Sequence, residues 1–174
     1  MAMGDDHTGE SSTVLHQSDW AMVDASMPVI SPAGVQEILD YGHYGYALSR
    51  FAGVWVGLKT MKDTIEVTSI VDGNPNRMQF KTPDIDMPDG GLNIRLVDLP
   101  VDQEARLLRH KISAAESFAR KNRIDQRGLG QAGAKIGIVA AGKNWLDVQH
   151  AMSVLGVDQY EAVRLGITTY KVVQ

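Results

Sequence analysis

The segment from Lys135 to Gln174 constrains this chain most. Lys135-Ile-Gly-Ile-Val-Ala-Ala141 is an apolar run of strand length, Asn144 to Leu155 and Gln159 to Leu165 follow helical spacing, and Thr168 to Val173 is again strand-like. Strand, helices and strand in that order predict a right-handed βαβ unit with parallel, buried strands. A parallel pair needs a sheet covered on both faces, yet the sequence stops at Gln174, directly after the second strand. The expectation is an internal segment of a larger α/β protein. The alternative is completion by a second copy of the chain, and unpaired parallel edges predict self-association.

Upstream, residues 1–13 are rich in Gly, Asp, Ser and Thr and read as a loop feeding a short helix from about Ser12 to Asp24. Met27 to Ile30 is an apolar run between turn formers. Ser31-Pro32 is a helix start signal, and Val35, Ile38, Leu39, Tyr46 and Leu48 carry helical spacing to about Phe51. Val54 to Leu58 reads as a buried strand. Thr64 to Val71 alternates like a half-buried strand, Asp72-Gly-Asn-Pro75 is turn chemistry, and Met78 to Lys81 is expected as the returning strand of a hairpin. Pro83, Pro88, Pro100 and the Gly90-Gly91 pair mark a connector. From Asp102 to about Ile124 an amphipathic helix is expected, with Leu108, Ile112, Ala115, Phe118 and Ala119 on its apolar stripe and Arg106, Arg109 and Lys111 off it.

Composition narrows the chemistry. The 174 residues, 44% hydrophobic and 22% charged, fit a globular protein, and the absence of cysteine removes disulfides, thiolate-held zinc, iron–sulfur ligation and cysteine nucleophiles. A net charge of −4 gives no overall basic field for nucleic acid, although residues 1–52 hold seven acids and one base and residues 53–174 fourteen acids and sixteen bases. The start has no basic and apolar leader, and Phe51 to Leu58 and Ile136 to Ala141 fall short of the roughly 20 residues of a spanning helix. No membrane partner is expected, and a cytoplasmic location is.

The densest polar cluster runs from Gly4 to Thr13 with His16 beyond it, and its site candidates are Asp5, Asp6, His7, Ser11, Ser12 and His16. Three readings are open: a capping loop, a contact with phosphate or a neighbouring domain, or a divalent-metal site as in a hydrolase. No phosphate-loop, dinucleotide or serine-elbow motif is found; Gly128 to Gly133, with Gly128-Leu-Gly130 ahead of a strand, reads as a flexible link, and Gly142-Lys143 reads as a cap, with an anion contact as the alternative. Basic residues on the 102–124 helix read as a solvated face, and His43 with Tyr41, Tyr44 and Tyr46 as an aromatic edge.

Longer strings carry a resemblance. Ala2-Met-Gly-Asp-Asp-His7, Ser11-Ser-Thr13, His16-Gln-Ser-Asp19, Met27-Pro-Val29, Pro32-Ala33, Val35-Gln-Glu37 and Ala47-Leu-Ser-Arg-Phe51 come first. Trp55-Val-Gly57 with Lys59, Gly91-Leu-Asn-Ile-Arg95, Gln103-Glu-Ala-Arg106, Lys135-Ile-Gly137, Leu165-Gly-Ile167 and Tyr170-Lys-Val172 follow. In this order the chain resembles the indolepyruvate ferredoxin oxidoreductases. That family uses thiamine diphosphate to decarboxylate aryl 2-oxoacids oxidatively to acyl-CoA and passes the electrons to ferredoxin.

The resemblance implies that residues 1–60 are the second half of an α/β/α pyrimidine-binding domain, 61–133 a connecting segment, and 134–174 the start of a transketolase C-terminal-like βαβ domain. It implies parent cofactors: thiamine diphosphate, magnesium, iron–sulfur clusters and coenzyme A. Ferredoxin and the remaining parent domains are the implied partners. The family's glutamate that protonates the aminopyrimidine lies upstream of Gly4-Asp5-Asp6-His7, and its magnesium-binding Gly-Asp-Gly with a distant Asn has no match, since Asp6 follows Gly4-Asp5 and no Asn precedes Asn74. The expectation is a chain that binds no cofactor and catalyses nothing alone, with no catalytic residue assignable. The competing reading is a stand-alone anion- or partner-binding α/β module.

Overall fold

The computed structural model describes residues 1–6, 8–10 and 14–174. The chain is α/β, with two three-stranded sheets among the described residues. The first contains β1 (Ala2–Asp5), β2 (Val29–Ile30) and β3 (Gly57–Met61) in the order β1-β3-β2, all parallel. α1 (Asp19–Asp24) links β1 to β2, α2 (Val35–Ala52) links β2 to β3, and α3 (Lys62–Ile65) follows β3.

A long helix crosses the chain as α4 (Pro100–Arg106), one π-helical turn (Leu107–Lys111) and α5 (Ile112–Asn122). The second sheet joins β4 (Gln126–Arg127), β5 (Ile136–Ala141) and β6 (Ile167–Val172), with α6 (Lys143–Val154) and α7 (Gln159–Leu165) between its parallel pair. Its order is β4-β6-β5; β5 and β6 are parallel over six residue pairs and β4 is antiparallel.

One core unites the segments. Ile30, Tyr44 and Leu48 meet Leu92 from the connector, Ala115 and Phe118 from α5, and Val173 from the end of β6. Tyr44 stands edge-on to Phe80, with centroids 5.8 Å apart, and Phe51 stacks on Phe118 at 5.4 Å. Polar ties fix the second sheet to α2: Ser31 N–H donates to Val173 O at 2.8 Å, Tyr44 OH to Gln174 Oε1 at 2.8 Å, and buried Lys171 to Glu37 while lying over the Tyr41 ring. Tyr41 and Tyr44 are thus packed, whereas His43 and Tyr46 are exposed.

Several expectations are corrected. Residues 2–5 form strand β1, not a loop, because β3 supplies a parallel partner distant in sequence. The first helix starts at Asp19 rather than near Ser12, since His16 is held in an antiparallel bridge to Asp6. α2 starts at Val35 rather than Pro32, with Glu37 accepting from Ala33 N–H, and the strand expected at Val54–Leu58 is shifted to Gly57–Met61. Thr64 to Val71 and Met78 to Lys81 are not strands. They have the propensity but pair with no strand; Thr64 and Ile65 end α3, and Lys81 is tied to Asn122 through its backbone N–H and C=O instead.

The stripe expected on the long helix is also altered. A π turn adds a residue to the repeat, so Leu107 packs on the core, Leu108 is 56% exposed and Lys111 is buried. Arg109, Arg120 and Lys121 are exposed, as a solvated face requires. The Gly128–Gly133 link is anchored rather than loose: Leu129 N–H donates to Thr169 Oγ1, and Gly130, at φ 84°, lies against the Ile167 backbone where a Cβ has no room.

Finally, β5 is not buried. Val139 and Tyr170 form a register pair on a face the helices leave open, whereas Ala140 and Lys171 pair on the covered face.

Candidate functional site

The sequence cluster sits where parallel sheets ordinarily expose their chemistry, at the carboxyl ends of β1 and β3. β1 delivers Asp5 to its last position with the side chain turned inward, and the chain then bends at Asp6. Asp6 and His16 exchange backbone hydrogen bonds at 3.1 and 3.0 Å. Asp6 Oδ1 accepts from Glu10 N–H at 2.9 Å, an aspartate-stabilised turn of the kind a short carboxylate favours.

Asp5 is buried but satisfied. Its Oδ1 accepts from Ser18 N–H at 3.1 Å and from the Ser18 hydroxyl, and that hydroxyl lies 3.5 Å from His16 Nε2. Two lysines from the β3 side complete the charge pattern. Lys59 pairs with Asp19 at 2.8 Å and Lys62 with Glu10 at 2.6 Å. Thr60 Oγ1 donates to Met3 O at 2.9 Å, locking the two strands beneath the cluster.

Of the six residues singled out in the sequence, Asp5, Asp6 and His16 are brought together. His7, Ser11 and Ser12 lie outside the described residues. Ser18, Lys59 and Lys62 escape a reading of the sequence. Ser18 carries only the weak signal of a hydroxyl before a helix, and the lysines arrive by strand pairing across more than forty residues, which local sequence does not encode.

Chemically, the arrangement is a cluster fastened by paired charges. Asp5 already accepts two hydrogen bonds, and Glu10 and Asp19 are ion-paired. Among the described residues no group of three His, Asp or Glu side chains converges as a metal cage would require. At the other candidate, Gly142 caps α6 and Lys143 pairs with Asp147 at 3.0 Å, so that lysine serves its own helix. No helix among the described residues is long and apolar enough to cross a membrane.

Comparison with known proteins gives the geometry its context. Residues 126–174, which hold the whole second sheet, match the family described as indolepyruvate oxidoreductase domain. Over 151 residues the chain is 29% identical to indolepyruvate oxidoreductase subunit IorA of Pyrococcus abyssi (strain GE5 / Orsay). That alignment covers 82% of this chain and 22% of the relative, so the chain spans about a fifth of that protein's length. No solved structure matches. The likeness read from the strings between Ala2 and Val172 and the match over the β4-β6-β5 unit agree: the chain is similar to an indolepyruvate oxidoreductase subunit, and residues 126–174 to the indolepyruvate oxidoreductase domain.

Proposed function

We propose that this chain is a structural portion of a thiamine-diphosphate-dependent enzyme that decarboxylates aryl 2-oxoacids such as indolepyruvate oxidatively to acyl-CoA, with ferredoxin as electron acceptor. The observation that carries this reading is the ordered likeness to the indolepyruvate oxidoreductase subunit across most of the chain. In this reading residues 1–60 are the second half of a pyrimidine-binding-like domain, 61–133 the connecting segment and 134–174 the start of a transketolase C-terminal-like domain. The parallel β1-β3-β2 sheet and the parallel β5–β6 pair are compatible with those parts.

In this reading the parent's cofactors are held by its other parts. Iron–sulfur ligation needs thiolates, and the sequence has no cysteine. A diphosphate–magnesium site needs several oxygen ligands converging on one ion, and among the described residues no group of three His, Asp or Glu side chains does so. The role assigned to the chain is to supply framework, with the surface around Asp5, Asp6 and His16 meeting a neighbouring domain.

The test is ferredoxin reduction in the presence of indolepyruvate, coenzyme A, thiamine diphosphate and magnesium, assayed for the parent polypeptide and for the 174-residue chain. Turnover by the parent alone is expected. Turnover by the isolated chain, or a parent inert toward aryl 2-oxoacids, overturns the reading.

A further inference from the structure

Away from that surface, a cleft of about 890 Å³ opens between the end of α2, the connector and the long helix. Its size lies within the range of small-molecule sites. The walls are largely hydrocarbon, with Val54, Trp55, Ile94 and Leu107 among the lining residues, and Trp55 is 74% exposed although nothing in the fold demands an indole there. Lys111, the last residue of the π turn, also lines the cleft.

Lys111 is the anomaly. The residue is only 8% exposed, and its ammonium donates a single hydrogen bond, to Gly53 O at 3.0 Å. Two of its three donors remain, and a buried cation is costly unless paired. The buried carboxylate nearby, Asp98, is engaged by Arg95 at 2.6 Å and faces Arg106 Nε at 3.6 Å. Glu104 and the second cation of the cleft, Arg50, are both exposed, and among the described residues Glu104 makes no ion pair with Lys111. Burial, and then the Arg106 guanidinium, push the Lys111 ammonium below the ordinary lysine range. A π turn inserted where it brings this amine to a cleft wall is a feature often found at binding sites.

We propose that this cleft binds a small amphipathic carboxylate, its carboxylate on Lys111 Nζ and its apolar body against Trp55, Val54, Ile94 and Leu107. Lys111 and Arg50 with Glu104 on the same cleft leave one net positive charge, which matches one carboxylate rather than a phosphate ester. The inference is independent of the oxidoreductase reading, because its test measures binding to the chain itself and no turnover.

The experiment is calorimetric titration of the 174-residue chain with phenylpropionate and with its uncharged analogue phenylpropanol. Saturable binding of the acid is expected, with the alcohol weaker by about tenfold or more. Lys111→Met should lower the acid to the alcohol's affinity and leave the alcohol unchanged, while Trp55→Ala should weaken both. No saturable heat with the acid, equal affinity for acid and alcohol, or full affinity in Lys111→Met overturns the proposal. If Lys111→Met does not fold, amide NMR shifts on the unaltered chain decide: perturbation centred on Gly53, Trp55, Leu107 and Lys111 supports the site, and perturbation elsewhere overturns it.

Discussion

Two residues at the α2–connector junction show how single positions govern this fold. Gly53 ends α2 in the left-handed region at φ 67°, and a Cβ built there would lie 2.3 Å from Leu92 O. Gly53→Ala therefore combines left-handed backbone strain with an overlap against main chain, a loss of about 2–4 kcal/mol. Urea unfolding should show it as a lower midpoint at unchanged slope. Lys111 makes the opposite kind of prediction. Its native ammonium titrates below the ordinary 10.5 because it is buried and faces Arg106, with Asp98 a weaker counterweight. Between the lowered native value and 10.5 the unfolded chain binds more protons, so this lysine makes stability rise with pH over that window. Tyr41 and Tyr44, raised chiefly by burial, contribute a fall in stability above about pH 10 instead. The difference between the chain and Lys111→Met isolates the lysine: the variant should lack the rise, and an identical pH profile for both would contradict it.

At the level of elements, the long helix is held at its C-terminal end by contacts that are neither helical nor strand-like. Asn122, the last residue of α5, accepts from Lys81 N–H at 2.7 Å and donates to Lys81 O at 3.0 Å, so the connector is docked by one side chain. Asn122→Ala removes both bonds, worth about 1 kcal/mol net at an exposed site, and should speed tryptic cleavage after Lys81 about fivefold where local opening limits the rate. That docking explains why Met78–Lys81 misleads as sequence. Its propensity is for a strand, but it pairs with none, and the polar pairing comes from a residue some forty positions on. Elements whose signals are local are legible: α7 spans Gln159–Leu165 as its spacing and the Asp158 cap indicate, and the β5–α6–α7–β6 order is readable throughout. β1 is not, because Ala2-Met-Gly-Asp5 has no strand character apart from its pairing with β3. The π turn is equally invisible, since the stripe through Leu108 satisfies ordinary helical spacing. The site shows the same division: Asp5, Asp6 and His16 are readable as one polar cluster, whereas Ser18, Lys59 and Lys62 join them only through tertiary pairing.

For the molecule as a whole, surface area is the telling quantity. The chain exposes 11224 Å², where a compact monomer of 19.0 kDa exposes about 8,400 Å². Part of the excess is apolar, with Trp20, Val139 and Leu155 among the large side chains in water. Parallel strands ordinarily have both faces covered, yet the β5–β6 pair presents Val139 and Tyr170 on its open face, and β5 ends the sheet with a free backbone edge. Surfaces of this kind predict association of the chain with itself when no other partner is present. Ile136 N–H donates inward to Gly166 O at 2.9 Å, and the period of two in a strand then aims the Gly137, Val139 and Ala141 N–H groups at the outer edge. Val139→Pro therefore removes an outward donor without breaking the ladder to β6, so the fold should survive while edge pairing is blocked. Light scattering across a concentration series should show growing mass for the chain and a smaller increase for Val139→Pro, with far-UV circular dichroism unchanged. A strict monomer at every concentration would mean that the open face and free edge are tolerated in water. Equal association of the two forms would place the contact elsewhere, with the exposed face of α1 around Trp20 and Val23 the next surface to alter.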